Sequence, residues 1–373
     1  MFALASLQAL AGMLLIDRMR RRLFPALPAV LSVLAMAVFA FVNPTPYNLS
    51  RAGVYEAAIV GGHAFLVAGL LFAFDAMSVP GRQRSRLALA GTSWALALAC
   101  RASIAPAIAL LVAATCWLVA PRDAGRWRLR ARALAWLSTP IAVGIGLMLT
   151  YNELRFDDWL DFGRHYQLSW IAFGSSEAFI PVNAWSYALR PFELRCTFPF
   201  VYGVTDMGAA ALPSWLDLPN GYIVYEPVVG CVLAIPWAWV APVTAVAGAR
   251  GMWSVARGRA GADPPAEAWL AVATTVAAVA SFLVPLTLFW ATMRFLGDAT
   301  PALTLASAVG WWLCYRRASE RRWLRRLIAS CALVTALATV ATGVALGFEG
   351  QYKHFREHNP GLLDRLEKHL SFC

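Results

Sequence analysis

The sequence predicts an all-α, polytopic integral membrane protein of about ten transmembrane helices, with one long extracytoplasmic loop built of short amphipathic helices. Three observations predict it. Hydrophobic residues make up 60% of the chain, charged residues only 14%, and the mean hydropathy is +0.58, whereas soluble domains carry nearer a quarter charged. Apolar runs long enough for a hydrocarbon core of about 30 Å recur along the chain. Basic clusters follow every second run.

The runs cover residues 2–16, 26–42, 57–77, 87–100, 103–120, 133–150, 227–247, 269–290, 301–314 and 327–348. They divide the chain into N-terminal transmembrane helices (1–150), an extracytoplasmic loop (151–226), C-terminal transmembrane helices (227–348) and an extracytoplasmic tail (349–373). Most of the 32 Lys and Arg sit in five clusters: Arg18 and Arg20 to Arg22; Arg82, Arg84 and Arg86; Arg122, Arg126, Arg128, Arg130 and Arg132; Arg250, Arg257 and Arg259; and Arg316, Arg317, Arg321, Arg322, Arg325 and Arg326. Translocated loops are depleted in positive charge, so the clusters face the cytoplasm and both termini face outward, in the cytoplasmic (inner) membrane. Trp127, Trp136, Trp253, Trp269, Trp311, Trp312 and Trp323 flank the clusters as an interfacial belt would. The net charge of +11 does not indicate nucleic acid, because the basic residues are broken into topology signals rather than spread along one polar face. Membrane lipids are the implied surroundings.

The first apolar run begins directly after Met1 with no basic n-region, so no signal peptide is expected; either the first helix inserts with its N-terminus outward or the chain lacks an upstream part. The seven cysteines form no C-x-x-C, and most fall inside apolar runs as small buried hydrophobes. Cys196 and Cys373 share the outer side, with nothing in the sequence to show that they meet.

Residues 151–226 form the one long stretch neither strongly apolar nor basic, holding Glu153, Asp157, Asp158, Asp161, Glu177, Glu193, Asp206, Asp217 and Glu226. Its aromatic content suits a surface at headgroup depth and exceeds that of disordered segments. Asp157, Asp158 and Asp161 with Arg155, Arg164 and His165 are its densest charged group. On a helix, Asp157 and Asp161 share a face, with Asp161 in reach of Arg164 and His165. A base beside a cation suits a transferase; a solvated helix with internal ion pairs gives the same pattern. Two carboxylates also suit a divalent cation, although no Asp-x-Asp spacing is present and the cofactor stays unknown.

Three shorter stretches carry further candidates. In Arg51-Ala-Gly-Val-Tyr-Glu56 a cation for a lipid phosphate precedes a carboxylate for general-base work, or both anchor a helix end. Asn48-Leu-Ser50 matches the glycosylation sequon, and His63 follows the Gly61-Gly62 pair, where an interhelical hydrogen bond is expected. Arg101 lies between two apolar runs and calls for a phosphate or a protein carboxylate. In Trp290-Ala-Thr-Met-Arg-Phe-Leu-Gly-Asp-Ala-Thr-Pro301, Arg294 and Asp298 are spaced to pair on one helical turn, and Pro301 suits a helix start.

Residues 51–62, 151–168 and 293–301 together resemble bacterial membrane proteins related to the GT-C glycosyltransferases, which use polyprenyl-phosphate-linked sugars. The resemblance implies a transferase acting at the outer face of the cytoplasmic membrane. Arg51, Arg101 or Arg294 would hold the donor phosphate, and Glu56, Asp157, Asp158 or Asp161 would deprotonate the acceptor hydroxyl. One departure stands out: that family keeps its catalytic carboxylate in the first outer loop, whereas the first apolar run here leads into Asp17-Arg-Met-Arg-Arg-Arg22. No catalytic residue is therefore carried over from the family. The competing class is a noncatalytic membrane protein, either a transporter of amphipathic lipids, a partner subunit or an inactive fragment of the family; repeated halves and midplane charges, which a transporter would show, are absent apart from His63.

Overall fold

The computed structural model describes residues 1–79, 81, 83–119, 126–163, 166, 174–204, 212–223, 226–257, 265–350 and 353–373. The described residues are mostly helical. The helices are α1 (Phe2–Leu23), α2 (Ala29–Phe41), α3 (Thr45–Leu49), α4 (Val54–Ser78), α5 (Gln83–Cys100), α6 (Ala105–Leu118), α7 (Arg126–Phe156), α8 (Ile180–Ala188), α9 (Cys231–Ala234), α10 (Ala241–Ala256), α11 (Pro265–Ala280), α12 (Leu283–Leu286), α13 (Met293–Leu296), α14 (Thr300–Arg317), α15 (Arg322–Glu349), α16 (His354–His358) and α17 (Pro360–Leu370). Each apolar run holds a helix, because in hydrocarbon a helix is the one local way to satisfy every backbone group. Among the described residues, six segments are long and apolar enough to cross a membrane: Phe2–Leu23, Ala29–Leu49, Val54–Ser78, Trp127–Phe156, Ala266–Leu286 and Arg322–Glu349. The run at 227–247 is broken into α9, a 3-10 turn at Pro236–Val240 and α10, since Pro236 and Pro242 each remove a backbone donor.

The centre of the bundle is α4, 78% buried in its apolar window, while α7 is 11% and α15 22% buried. Helices approach α4 through its glycines. A Cβ built at Gly69 would stand 2.1 Å from the indole nitrogen of Trp94 on α5, and one at Gly62 would stand 2.7 Å from Cβ of Arg101. Small residues thus buy close interhelical approach. Two buried indoles are tied off, Trp94 donating to the Leu66 carbonyl at 3.3 Å and Trp269 to Thr115 Oγ1 at 2.9 Å, while Nε1 of Trp312 has no hydrogen-bond partner among the described residues. Trp269 and Trp312 are fully buried, so these two pack the core instead of joining the interfacial belt, while Trp127, Trp136, Trp253 and Trp323 are exposed.

The basic helix ends gather at one end of the bundle. Arg18 and Arg22 of α1 both pair with Asp75 near the end of α4, the latter at 2.7 Å, and Arg86 donates to the Asp75 and Val79 carbonyls at 3.1 and 3.0 Å. Arg316 of α14 grips Glu267 of α11 at 2.6 and 2.9 Å and lies 4.9 Å over the Phe24 ring that follows α1. Arg130 of α7 donates to the Trp117 carbonyl of α6 at 3.0 Å. Toward the other end of α4, 25 residues long, lie Glu56 and the polar site, about 28 Å from Asp75 at 1.5 Å per residue.

Two expectations for 151–226 are corrected. Residues 151–156 continue α7 rather than opening a loop. Beyond α8, the described segment is not a series of amphipathic helices but includes an antiparallel hairpin, β1 (Phe192–Leu194) and β2 (Val201–Gly203), with Phe192 opposite Gly203. Cys196, in the turn of that hairpin, forms a disulfide with Cys373 at a Cα separation of 5.8 Å. Phe372 stacks on Phe200 at 5.2 Å, and Glu349 at the end of α15 accepts the Gly203 N–H at 2.8 Å. The C-terminal tail is thereby fastened over the hairpin.

Candidate functional site: buried arginines at the polar end of the bundle

The site is assembled on residues 292–298. Thr292 caps α13 by accepting its Arg294 N–H, and the chain turns at Gly297 into α14, which begins with Pro301 in its first turn as the sequence expects. Arg294 and Asp298, four residues apart, do not pair with each other as their spacing suggested. Each is drawn to a different neighbour.

Asp298, with 0% exposure, is claimed by Arg101. Gly61 and Gly62 seat the end of α5 against α4, and Arg101 reaches across so that Nε meets Oδ1 at 3.0 Å and Nη2 meets Oδ2 at 3.0 Å. Ser103 Oγ donates to Oδ2 at 2.8 Å, and His63 Nε2 stands 3.3 Å from Oδ1. His63, expected to bond to another helix, instead meets the turn between α13 and α14. Arg101 also lies 4.9 Å over the Phe295 ring. Burial alone would raise the Asp298 carboxyl, yet the Arg101 guanidinium and His63 hold it down to about 2. Burial likewise opposes the charge on Arg101, and Asp298 more than restores it.

Arg294, 7% exposed, pairs with two carboxylates. Its Nη2 lies 2.8 Å from Glu226 Oε1 and its Nη1 3.3 Å from Glu56 Oε1. Thr292 donates its hydroxyl to the other oxygen of Glu226 and accepts from Arg294 Nε at 3.3 Å. Tyr55 presents its ring 5.6 Å from the guanidinium. Tyr187 of α8 accepts the Thr292 N–H at 3.3 Å, and burial pushes its phenol up.

Arg190 lies just beyond α8 and is 1% exposed. Its Nη2 donates to the Val204 carbonyl at 2.5 Å, while Nε and Nη1 have no hydrogen-bond partner among the described residues. Burial lowers it to about 10. Its own carbonyl accepts from Gly230 N at 2.8 Å, which ties this turn to the strand of chain following Glu226. Nearby Tyr222, raised to about 12 by burial, donates to Asn183 Oδ1 at 2.8 Å.

Of the loop's carboxylates Glu226 joins this assembly, whereas the aspartates at 157, 158 and 161 do not pair with its arginines. The helix ends at Phe156, and Asp157 takes a positive φ of 55°, so Asp157 and Asp161 share no helical face. Asp157 and Asp158 are exposed and Asp161 is half-buried. Asp158 accepts Leu160 N–H and Asp161 accepts Gly163 N–H, both at 2.8 Å. These are local turn caps. Arg164 and His165 lie outside the described residues, and Arg51 is half-buried in the bend between α3 and α4. Asn48 of the sequon is 2% exposed, a position closed to glycosylation.

Sequence reasoning brought Glu56, Arg101, Arg294 and Asp298 forward. It overlooked Glu226, Thr292, Ser103 and Arg190 as site residues. Glu226 had a signal, standing directly before Pro227 and an apolar run; Arg190, in Leu189-Arg-Pro191, had none. Chemically, the assembly offers a proton acceptor held beside a cation at Glu56, Glu226 and Arg294, and a buried guanidinium with unmatched donors at Arg190. No family model, curated protein or solved structure matches the chain.

Proposed function

We propose that the protein is a ten-helix, GT-C-like glycosyltransferase of the cytoplasmic membrane, moving a sugar from a polyprenyl-phosphate donor to an acceptor at the outer face. The ten-helix reading rests on the apolar runs and on the gathering of basic helix ends at one end of the bundle, which the positive-inside rule assigns to the cytoplasm. The polar site then lies at the outer interface, where the Cys196–Cys373 disulfide suits an oxidising compartment.

The observation that carries the reading is Arg190. Of the arginines near this face, Arg101 and Arg294 are already matched to protein carboxylates. Arg190 is buried with two guanidinium nitrogens unmatched among the described residues. Unmatched buried donors are costly, and a phosphate oxygen accepted in the guanidinium fork removes that cost. Donor binding is thus assigned to Arg190 in place of Arg101. Deprotonation of the acceptor hydroxyl is assigned to Glu56, oriented by Arg294, which also stabilises charge developing nearby.

The test is binding of a polyprenyl phosphate to protein purified in detergent. Arg190→Ala weakens binding at least tenfold, about 1.4 kcal/mol, and Arg190→Lys recovers part of it, because the fork geometry is lost. Neither variant lowers the melting temperature much. Equal donor binding by wild type and Arg190→Ala overturns the assignment. A noncatalytic membrane subunit is the second reading, favoured by the complete pairing of Asp298; it predicts stability losses at Arg101 and Arg294 with no lipid-phosphate binding at all.

A further inference from the structure

Beyond the buried site, the tail after α15 carries chemistry of another kind. His354-Phe-Arg-Glu-His358 places two imidazoles four residues apart with a carboxylate between them at the third position, so all three share one face of α16. The coordinating atoms of His354, Glu357 and His358 all lie within 4.8 Å of one another, and the two rings lie 3.8 Å apart between centroids, tilted at 40° to each other. Around a zinc ion, with metal–ligand bonds of about 2.0–2.2 Å in tetrahedral geometry, ligand atoms stand roughly 3.3–3.6 Å apart. Small side-chain rotations close the difference.

A second observation points the same way. His358 Nδ1 lies 3.1 Å from the His354 carbonyl oxygen. A carbonyl can only accept, so Nδ1 carries the proton and the lone pair of the neutral ring sits on Nε2. Metal-binding histidines are oriented by this kind of backbone bond, which fixes tautomer and ring plane before the ion arrives. The helix itself is anchored. Phe355 meets Phe348 of α15 edge-on at 5.2 Å, Arg356 pairs with Glu367 of α17 at 2.6 Å on a different face, and the Cys196–Cys373 disulfide closes the tail over the hairpin.

We propose that His354, Glu357 and His358 bind a divalent transition-metal ion of the zinc type, with a fourth position open to water. Two imidazoles select against magnesium and calcium, which take oxygen ligands, and one carboxylate completes a set suited to zinc. The site is separate from the buried arginines, and it neither supports nor requires the transferase reading.

The experiment uses the full chain in detergent, stripped with chelator and dialysed against Zn2+ alone, with bound metal measured by mass spectrometry. Wild type retains about one equivalent more than the His354→Ala/His358→Ala variant, and Glu357→Gln weakens zinc affinity about tenfold or more, as loss of even a supporting partner does. His369→Ala, an exposed histidine of α17, leaves the stoichiometry unchanged. Intact Cys196–Cys373 mobility on non-reducing gels shows that the tail stays folded; if the double variant loses it, Glu357→Gln alone decides. Equal zinc in wild type and double variant, an unchanged affinity in Glu357→Gln, or loss of zinc on His369→Ala overturns the proposal.

Discussion

At Asp298 a single carboxylate organises three segments distant in sequence: it accepts from Arg101 and Ser103 after α5 and meets His63 on α4. A buried ion pair contributes little relative to a well-packed apolar pair, but breaking it leaves an uncompensated charge costing about 3–5 kcal/mol. Arg101→Ala and Asp298→Asn are each expected to lower thermal stability by that order. Arg101→Met with Asp298→Leu should recover much of the loss in a double-mutant cycle; additive losses would show that the two do not act as a pair. The pH dependence has a fixed sign. Because the folded carboxyl is held at about 2, below its ordinary 3.8, its stabilisation is fully present above pH 3.8 and is lost as pH falls toward about 2. Melting temperatures of wild type and Asp298→Asn, followed over that interval, should converge on acidification, and parallel curves would refute it.

Among the elements, α17 shows how a short helix is held in place without a large core. It buries Leu363 and little else, so its attachment rests on the Arg356–Glu367 pair, the stacking of Phe372 on Phe200 and the Cys196–Cys373 bond. That bond joins positions 177 residues apart, and closing so long a loop restricts the unfolded chain strongly. Cys196→Ser is expected to cost on the order of 2–5 kcal/mol and, more locally, to expose 353–373 to protease. Limited proteolysis of wild type and variant in membranes measures this; equal cleavage rates would mean that the ion pair, the ring stacking and the hydrogen bonds of Ser371 and Phe372 to the hairpin secure the tail without the disulfide.

The whole molecule is polarised along α4, with Asp75 and the arginines at one end and Glu56 with the Arg294 group at the other. If the basic end faces the cytoplasm, a reporter fused after Asp217 should read the outer compartment and one fused after Arg257 the cytoplasm. The same compartment at both points would remove the ten-helix topology and with it the outward placement of the site. Charge asymmetry of this kind sets orientation during insertion.

Hydropathy and charge by themselves determined the helical class, because in lipid each apolar segment must satisfy its own backbone, a local requirement visible in local sequence. They also marked Glu56, Arg101, Arg294 and Asp298 as costly charges needing partners. Which partner each took was beyond local reading: spacing joined Arg294 to Asp298, whereas packing at Gly61 and Gly62 brought Arg101 to Asp298 and left Arg294 to Glu56 and Glu226. The aspartates at 157, 158 and 161 were equally undecided until α7 ended at Phe156, which left Asp157 exposed at a positive φ and made Asp158 and Asp161 caps of their own turns. Pairings between charges, the burial of Arg190 and the joining of Cys196 to Cys373 depend on distances between segments far apart in the chain. Only the tertiary structure sets those distances.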